Sequence, residues 1–189
     1  MNNWSSFPNK GDVDIFVYSA GDLNGSGVMA RTVFNHTPDQ IKAYIGKPEA
    51  YMKANPVIEH FNNFLEINAE CIRFHMKIKK MFVVAARDFV GTSRRYFDDN
   101  GEEHIIIYSQ DHPDHPPGDQ NEVVRGEIIV GGWYFKVLGP NQTEATNFVI
   151  NDYKGNIPKM VLNMAAPTQA KVFKNMTVDL QKMQENGEI

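Results

Sequence analysis

Apolar and polar positions along this 189-residue chain change their period twice. Near the start, alternating runs at 12–19 (DVDIFVYS) and 28–34 (VMARTVF) predict two strands joined by a glycine-rich turn at 21–27. Thr37-Pro38 then offers an N-cap and a first-turn proline. Ile41, Tyr44 and Ile45 share a face and Gly46 follows, so a short helix is expected there, and a second at 48–54 before Pro56. From 57 to 151 the period becomes two. Within 70–78, Ile72, Phe74, Met76 and Ile78 share one face, while Arg73, His75, Lys77 and Lys79 share the other, as in a strand with one apolar and one solvated side. Further strands are predicted at 87–97, 103–109, 123–130, 133–138 and 144–150. Asp98-Asp99-Asn100-Gly101-Glu102 supplies hairpin turn chemistry between two of them. Strands that follow one another without helices between them pair antiparallel.

Helical spacing returns at the C-terminus. Ile157, Met160, Val161 and Met164 fall on one face, and Val172, Phe173, Met176, Leu180 and Met183 continue the stripe. Pro167 lacks a backbone donor and crowds the preceding turn, so it must kink or interrupt this helix. A one-sided antiparallel sheet followed by a long amphipathic helix predicts an α+β domain with the helix packed in the concave face of the sheet.

Composition narrows what such a domain does. At this length a single domain over 1–189 is the default, and 12 Phe, 7 Tyr and 2 Trp suffice for a sizeable core. With 19 Lys+Arg against 23 Asp+Glu, a basic nucleic-acid-binding domain is excluded, and no nucleic-acid partner is expected. The lone Cys71 permits neither an internal disulfide nor a multi-cysteine zinc site, and it is expected as a half-buried strand residue in a reducing compartment. The longest clearly apolar run, 81–86, falls far short of the roughly 18 residues of a membrane span. The first ten residues carry neither a basic start nor an apolar stretch, so no signal peptide is visible and a soluble, cytoplasmic location is expected.

Side chains able to carry chemistry are sparse. Asp111-His112-Pro113-Asp114-His115 has metal-ligand residue types, but the surrounding prolines and Gly118 place it in a solvated loop, and no metal or cofactor is expected. No catalytic residue stands out. Arg87-Asp88 opens a strand that its apolar neighbours predict to be covered. Either the pair sits at a strand end with both heads in water, or Arg87 faces a cavity. Period two sends the two side chains to opposite faces, so an inward Arg87 needs another acid, for which Glu70 is a candidate. Gly131-Gly132 reads as a bend leading into Trp133, Tyr134 and Phe135.

Several segments together resemble the START family of lipid-transfer domains. They are Ala86-Arg87-Asp88-Phe89-Val90, Val124-Arg125-Gly126-Glu127, Gly131-Gly132-Trp133, and the stretch 151–163 (NDYKGNIPKMVLN), which is similar to the family's entry into its last helix. Their order and spacing hold over about residues 12–185. The resemblance implies a helix-grip fold, a curved sheet wrapped around the C-terminal helix and enclosing a tunnel for one lipid, such as a phospholipid or a sterol. It maps the family's cavity arginine onto Arg87, the mouth loop onto 111–122 and the gating helix onto 158–183. The family's usual opening helix has no counterpart in the dozen residues before the first predicted strand. Residues expected to line the tunnel are Arg87, Glu70, Phe74, Met76, Trp133 and Tyr134. From the helix come Met160, Asn163, Met164, Phe173 and Met176. The implied activity is non-enzymatic lipid carriage with transient membrane contact; an aromatase/cyclase-like enzyme and a non-transferring lipid sensor are the alternatives.

Overall fold

The computed structural model describes residues 3–8, 11–19, 25–118 and 122–189. Its strands are β1 (Trp4–Phe7), β2 (Asp14–Tyr18), β3 (Gly25–Phe34), β4 (Ile58–Asn68), β5 (Cys71–Ile78), β6 (Ala86–Phe97), β7 (Glu103–Ser109), β8 (Val123–Arg125), β9 (Glu127–Gly139) and β10 (Gln142–Asp152). Helices α1 (Pro38–Ile45) and α2 (Pro48–Ala54) link β3 to β4, and α3 (Lys159–Leu162) and α4 (Ala165–Glu185) close the chain. One curved antiparallel sheet runs in the order β1-β2-β3-β10-β9-β7-β6-β5-β4, and short β8 adds to β6 in parallel at Ala86–Asp88. This is the α+β arrangement expected from the period changes, and the helix-grip fold that the resemblance implies.

Several boundaries differ from the sequence reading, each for a physical reason. Residues 21–24 of the expected 21–27 turn lie outside the described residues, while Gly25 and Gly27 already belong to β3. Strand β1 precedes the first predicted strand and pairs with β2, its four residues being too short for a periodic signal. Strand β4 was not assigned in the pattern either: bulges at Ile58/His60, Asn63/Leu65 and Glu66/Asn68 shift its phase against β5 and erase the alternation. Gly131-Gly132 is not a bend but the middle of β9. A Cβ on Gly132 would sit 2.1 Å from the Ile105 carbonyl oxygen, so only glycine lets β7 and β9 approach there.

Pro167 interrupts the C-terminal helix as expected, but the break falls one turn earlier. Proline cannot donate to the Asn163 carbonyl, so α3 ends at its C-cap Asn163. Helix α4 starts at Ala165, and Pro167 occupies its first turn, where no intrahelical donor is needed.

Helix α4 lies across the β2–β3 side of the concave face. Val172, Phe173, Met176 and Leu180 are fully buried there with Phe34, Phe135, Ile41 and Tyr44. Phe173 stacks on Trp133 with ring centroids 5.5 Å apart. Buried Asp179 fixes the helix to its neighbours, lying 3.1 Å from the Tyr44 hydroxyl of α1 and accepting from Lys53 of α2 at 2.8 Å. The α1 N-terminus is closed by the expected Thr37 cap, which forms a reciprocal capping box with Gln40.

The outer face of β5 and β6 is not solvated as its polar residues suggested. The segment following β7 folds over it. Arg73, 5% exposed, donates to the Gln110 side chain, to the carbonyls of Gln110 and Asp111, and to Thr92 Oγ1. His115 packs its ring at a tilt against Phe64 and His75, with centroids 4.2 and 4.9 Å away. Beside it, Asp88 accepts from Arg125 through both oxygens at 2.9 Å and lies 3.2 Å from His75 Nε2. Burial acts to raise the Asp88 pKa, but the His75 and Arg125 contacts outweigh it and hold the carboxyl at about 2. Its ordinary value is 3.8, so the ionised group stabilises the fold fully above that pH, and the contribution is lost as pH falls from 3.8 toward 2. The shift corresponds to about 2 kcal/mol. Asp88→Asn should lower stability by about 3 kcal/mol, because it strands the Arg125 cation against a neutral amide. It should also flatten this acid limb of the stability profile, as read by denaturant melts between neutral pH and pH about 2.

Candidate functional site

The half of the concave face that α4 leaves uncovered is a cavity of about 720 Å³. Its floor is the inward row of four strands: Phe61 and Asn63 of β4, Ile72, Phe74 and Met76 of β5, Ser93 of β6, Ile105 and Ile107 of β7. Trp133 and Val149 form the side toward α4, and Val161, Leu162, Met164 and Ala165 form the roof. Ile105, Ile107, Met76 and Val149 sit on central or well-paired strands yet remain only half-buried, because they face this empty volume rather than other side chains. Small residues keep it open. Gly91 lies directly beneath Phe74, and Ser93, Ala165 and Thr168 present little bulk from floor and roof. The volume falls within the about 300–1,000 Å³ range of single-ligand pockets.

Polar groups collect at the two ends. At one end, Lys42 of α1 bridges Asp39 at 2.8 Å and Glu103, and Arg95 donates to the other Glu103 oxygen at 3.1 Å and to the Ala69 carbonyl. Burial acts to lower the Lys42 pKa, but its two carboxylate partners overcome that and raise it, so the lysine stays charged. At the other end stands Arg87, 7% exposed. Its Nε donates to Tyr153 O (3.1 Å) and its terminal nitrogens to Ala85 O (2.6 Å) and Lys154 O (3.1 Å). These carbonyls are the acceptors described for it, and burial pulls its pKa down. Arg87 therefore clasps the start of β6 to the link between β10 and α3. Period two does separate it from Asp88, which serves the outer face.

Two segments bound the Arg87 end. One is the β5–β6 connection, with Lys79, Met81, Val84 and Ala85 on the cavity; the other is Ile157 with α3. Both also show apolar side chains outward: Phe82 is 72% exposed with φ at +54°, Val83 91% and Met160 61%. The strained Phe82 backbone is a cost borne by a tight turn that holds an aromatic ring in water.

Of the residues expected to line the chamber, Arg87, Glu70, Phe74, Met76, Trp133 and Met164 border the cavity. Glu70 does so from the β4–β5 turn beside Arg95, not as the partner of Arg87. The remaining five are placed elsewhere. Tyr134 points outward and stacks on His104 at 4.2 Å, because it alternates with Trp133 along β9. Met160 and Asn163 face solvent on and just after α3. Phe173 and Met176 belong to the packed core, since helix α4 is seated down on β3 beyond its second turn. The expected mouth loop, 111–122, is also displaced: its described residues cover the outer sheet face at Arg73, His75 and Arg125, and the cavity is bounded by 79–85 instead. Cys71 is free and half-buried at the start of β5. Residues missed in the sequence include Asn55, Asn147, Asn151, Ser26 and Gln169, polar groups on the cavity wall that interrupt no periodic pattern. The inward position of Asn147 and Asn151, two and six residues after Ala145 on the buried face of β10, was the available signal.

The START domain family model matches residues 2–188. The chain belongs to the START domain family. Among solved structures, human StAR-related lipid transfer protein 5 superposes with a TM-score of 0.83 at 16% identity, covering 96% of this chain and 88% of that one. Human STARD10 gives 0.82 at 18% identity over 98% of this chain and 76% of that one. The Zhui aromatase/cyclase from a Streptomyces species gives 0.54 at 13% identity over 83% and 94%. These likenesses show the shared fold. No curated protein sequence matches the chain.

The clasp assigns Arg87 a structural duty in this START domain. Arg87→Met, which keeps the length but leaves the three carbonyls unpaired, should cost about 2–4 kcal/mol in the ligand-free protein. It should also raise proteolysis around 153–164. Unchanged melting and cleavage would leave Arg87 free for a ligand alone.

Proposed function

We propose that this START domain binds one lipid in the cavity and carries it between membranes. The observation that carries the reading is an apolar chamber of about 720 Å³ walled by half-buried Ile, Phe and Met side chains. Ile105, Ile107, Phe74 and Met76 turn their apolar side chains toward this chamber, and among the described residues no helix is long and apolar enough to cross a membrane. Each CH₂ kept from water is favourable by about 0.8 kcal/mol. A bilayer offers the same medium, so exchange between membrane and chamber has a small net free energy. The likeness to human StAR-related lipid transfer protein 5 supports the same reading.

The entrance is the Arg87 end. Phe82, Val83 and Met160 project from the two segments that bound it, with Lys79 and Lys80 adjoining, a composition suited to shallow contact with a lipid interface. Helix α3 is one turn long and has no buried residue, so displacing it costs little packing. The junction at Asn163–Met164 is the hinge. Carriage is favoured over catalysis because, on the cavity wall, burial raises the Tyr51 pKa and carboxylate partners raise that of Lys42 against burial, both away from neutrality. The Arg87 guanidinium, whose pKa burial lowers, is occupied by three backbone carbonyls.

Native mass spectrometry of the purified protein, followed by lipid extraction, should find one lipid per chain; a protein that binds none from any vesicle would sink the reading. Vesicle-to-vesicle transfer separates a carrier from a sensor. In that assay Phe82→Asp with Val83→Asp should slow transfer about tenfold or more, since burying each ring or branched chain contributes about 1.5–3 kcal/mol, while the melting temperature stays within a few degrees. Pro167→Ala restores the missing donor to the Asn163 carbonyl and should fuse α3 to α4. Transfer should then slow several-fold with lipid binding at equilibrium retained.

A further inference from the structure

Charge is divided unevenly along this chain. Residues 79–87 and 153–178 hold seven of its 19 lysines and arginines and none of its 23 aspartates and glutamates. A molecule of net charge −4 therefore carries +7 in these two segments and −11 in the remainder. The first segment is the β5–β6 connection with the start of β6. The second is the link after β10, α3 and the first two thirds of α4. Together they bound the Arg87 end of the cavity and roof it.

Two of the seven cations are engaged within the protein. Arg87 is buried on three carbonyls, and Lys154 bridges Glu127 at 2.6 Å and Asp152 at 2.8 Å. The other five, Lys79, Lys80, Lys159, Lys171 and Lys174, are exposed, and among the described residues none of them pairs with a carboxylate. Lys79 donates to the Pro56 carbonyl. By contrast Lys42, Lys53 and Lys77 each reach an acid. Val172, Phe173 and Met176 face inward from α4, which turns Lys171 and Lys174 outward. These two stand about 5 Å apart along the helix axis, inside a Debye length of about 8 Å, so their fields add. The same segments expose Phe82, Val83, Met160 and Val178.

We infer that this face docks on an anionic bilayer, its five free lysines over acidic head groups and Phe82, Val83 and Met160 in the interface. The inference rests on the lipid-carrier reading and specifies the membrane that the carrier serves. Charge complementarity selects the partner. Each lysine held near an anionic leaflet strengthens attachment about fivefold. The acidic remainder of the chain is repelled by the same leaflet, so the molecule arrives entrance first. A neutral bilayer satisfies the apolar side chains alone, and a soluble polyanion satisfies the lysines alone. Lys159 and Met160 lie on α3, which has no buried residue, so attachment pulls on the element held least.

The test is cosedimentation of the purified full chain with vesicles of phosphatidylcholine alone, or of phosphatidylcholine with about 30% phosphatidylserine. The anionic vesicles should bind at least about tenfold tighter at about 0.1 M salt, and the advantage should fade toward about 1 M as the Debye length contracts. Lys159→Gln, Lys171→Gln and Lys174→Gln together should weaken binding to anionic vesicles about tenfold or more. Binding to neutral vesicles and the melting temperature should stay as they are, because the three side chains are exposed. Arg94→Gln with Lys136→Gln removes exposed cations from the outer face of β6 and β9 and should change binding less than about twofold. Equal binding to the two vesicles, or equal losses in the two variants, overturns the inference and leaves carriage to the transfer assay. Heparin held as tightly as the anionic vesicles marks a polyanion site and overturns it as well. Selective anionic binding by a chain that takes up no lipid overturns the carrier reading alone.

Discussion

Everything about this molecule follows from how far α4 extends across the concave face of the sheet. Phe173, Met176 and Leu180 reach full burial only on the β2–β3–β10 side, where Phe34, Phe135 and the two short helices meet them. The Trp133–Phe173 stack marks where that packing stops. Beyond it the sheet continues through β7, β6, β5 and β4 with an apolar inner face that α4 does not reach, touched at its far edge by Tyr51 of α2 against Phe61. One side chain, Trp133, thus belongs both to a close-packed core and to the wall of a chamber. A protein interior normally fills at near-crystalline density; here residues from one fold side do and those from the other do not.

Keeping half a sheet uncovered demands rigidity from elsewhere, and the outer face provides it. Asp88 held by Arg125 and His75, and Arg73 gripping the backbone at 110–111, fasten the segment after β7 to the backs of β5 and β6. Adjacent residues of one strand divide the labour: Asp88 braces the outside, and Arg87 ties the inside to the link before α3. The clasp and the weakly packed single turn of α3 stand next to one another, so a fixed frame adjoins a segment that little packing restrains.

The polar groups of the chamber show a similar division. Lys42, Glu103 and Arg95 satisfy one another at one end, and at the other Arg87 is taken up by the carbonyls of residues 85, 153 and 154.

Much of the fold was legible in the chain. The alternation of Ile72, Phe74, Met76 and Ile78, the Thr37-Pro38 cap, the Asp98–Glu102 hairpin and Pro167 are local signals, because strand faces, caps and helix breaks depend on neighbours within a turn or two. The opposition of Arg87 and Asp88 was equally fixed by the pleat. What the chain could not reveal is what each face meets. Whether an apolar residue packs or lines empty space depends on an element more than a hundred positions away, which is why Phe173 and Met176 were expected in the chamber and lie in the core. Strand β4 was hidden because its bulges break the period, and the mouth was placed at 111–122 by the resemblance alone, because nothing local distinguishes a loop over a cavity from one over an outer face. Local spacing determined which side of each element is apolar; only the tertiary structure decided where two apolar faces touch and where they stand apart, because that distance is set by the curvature of the whole sheet and the seat of one helix.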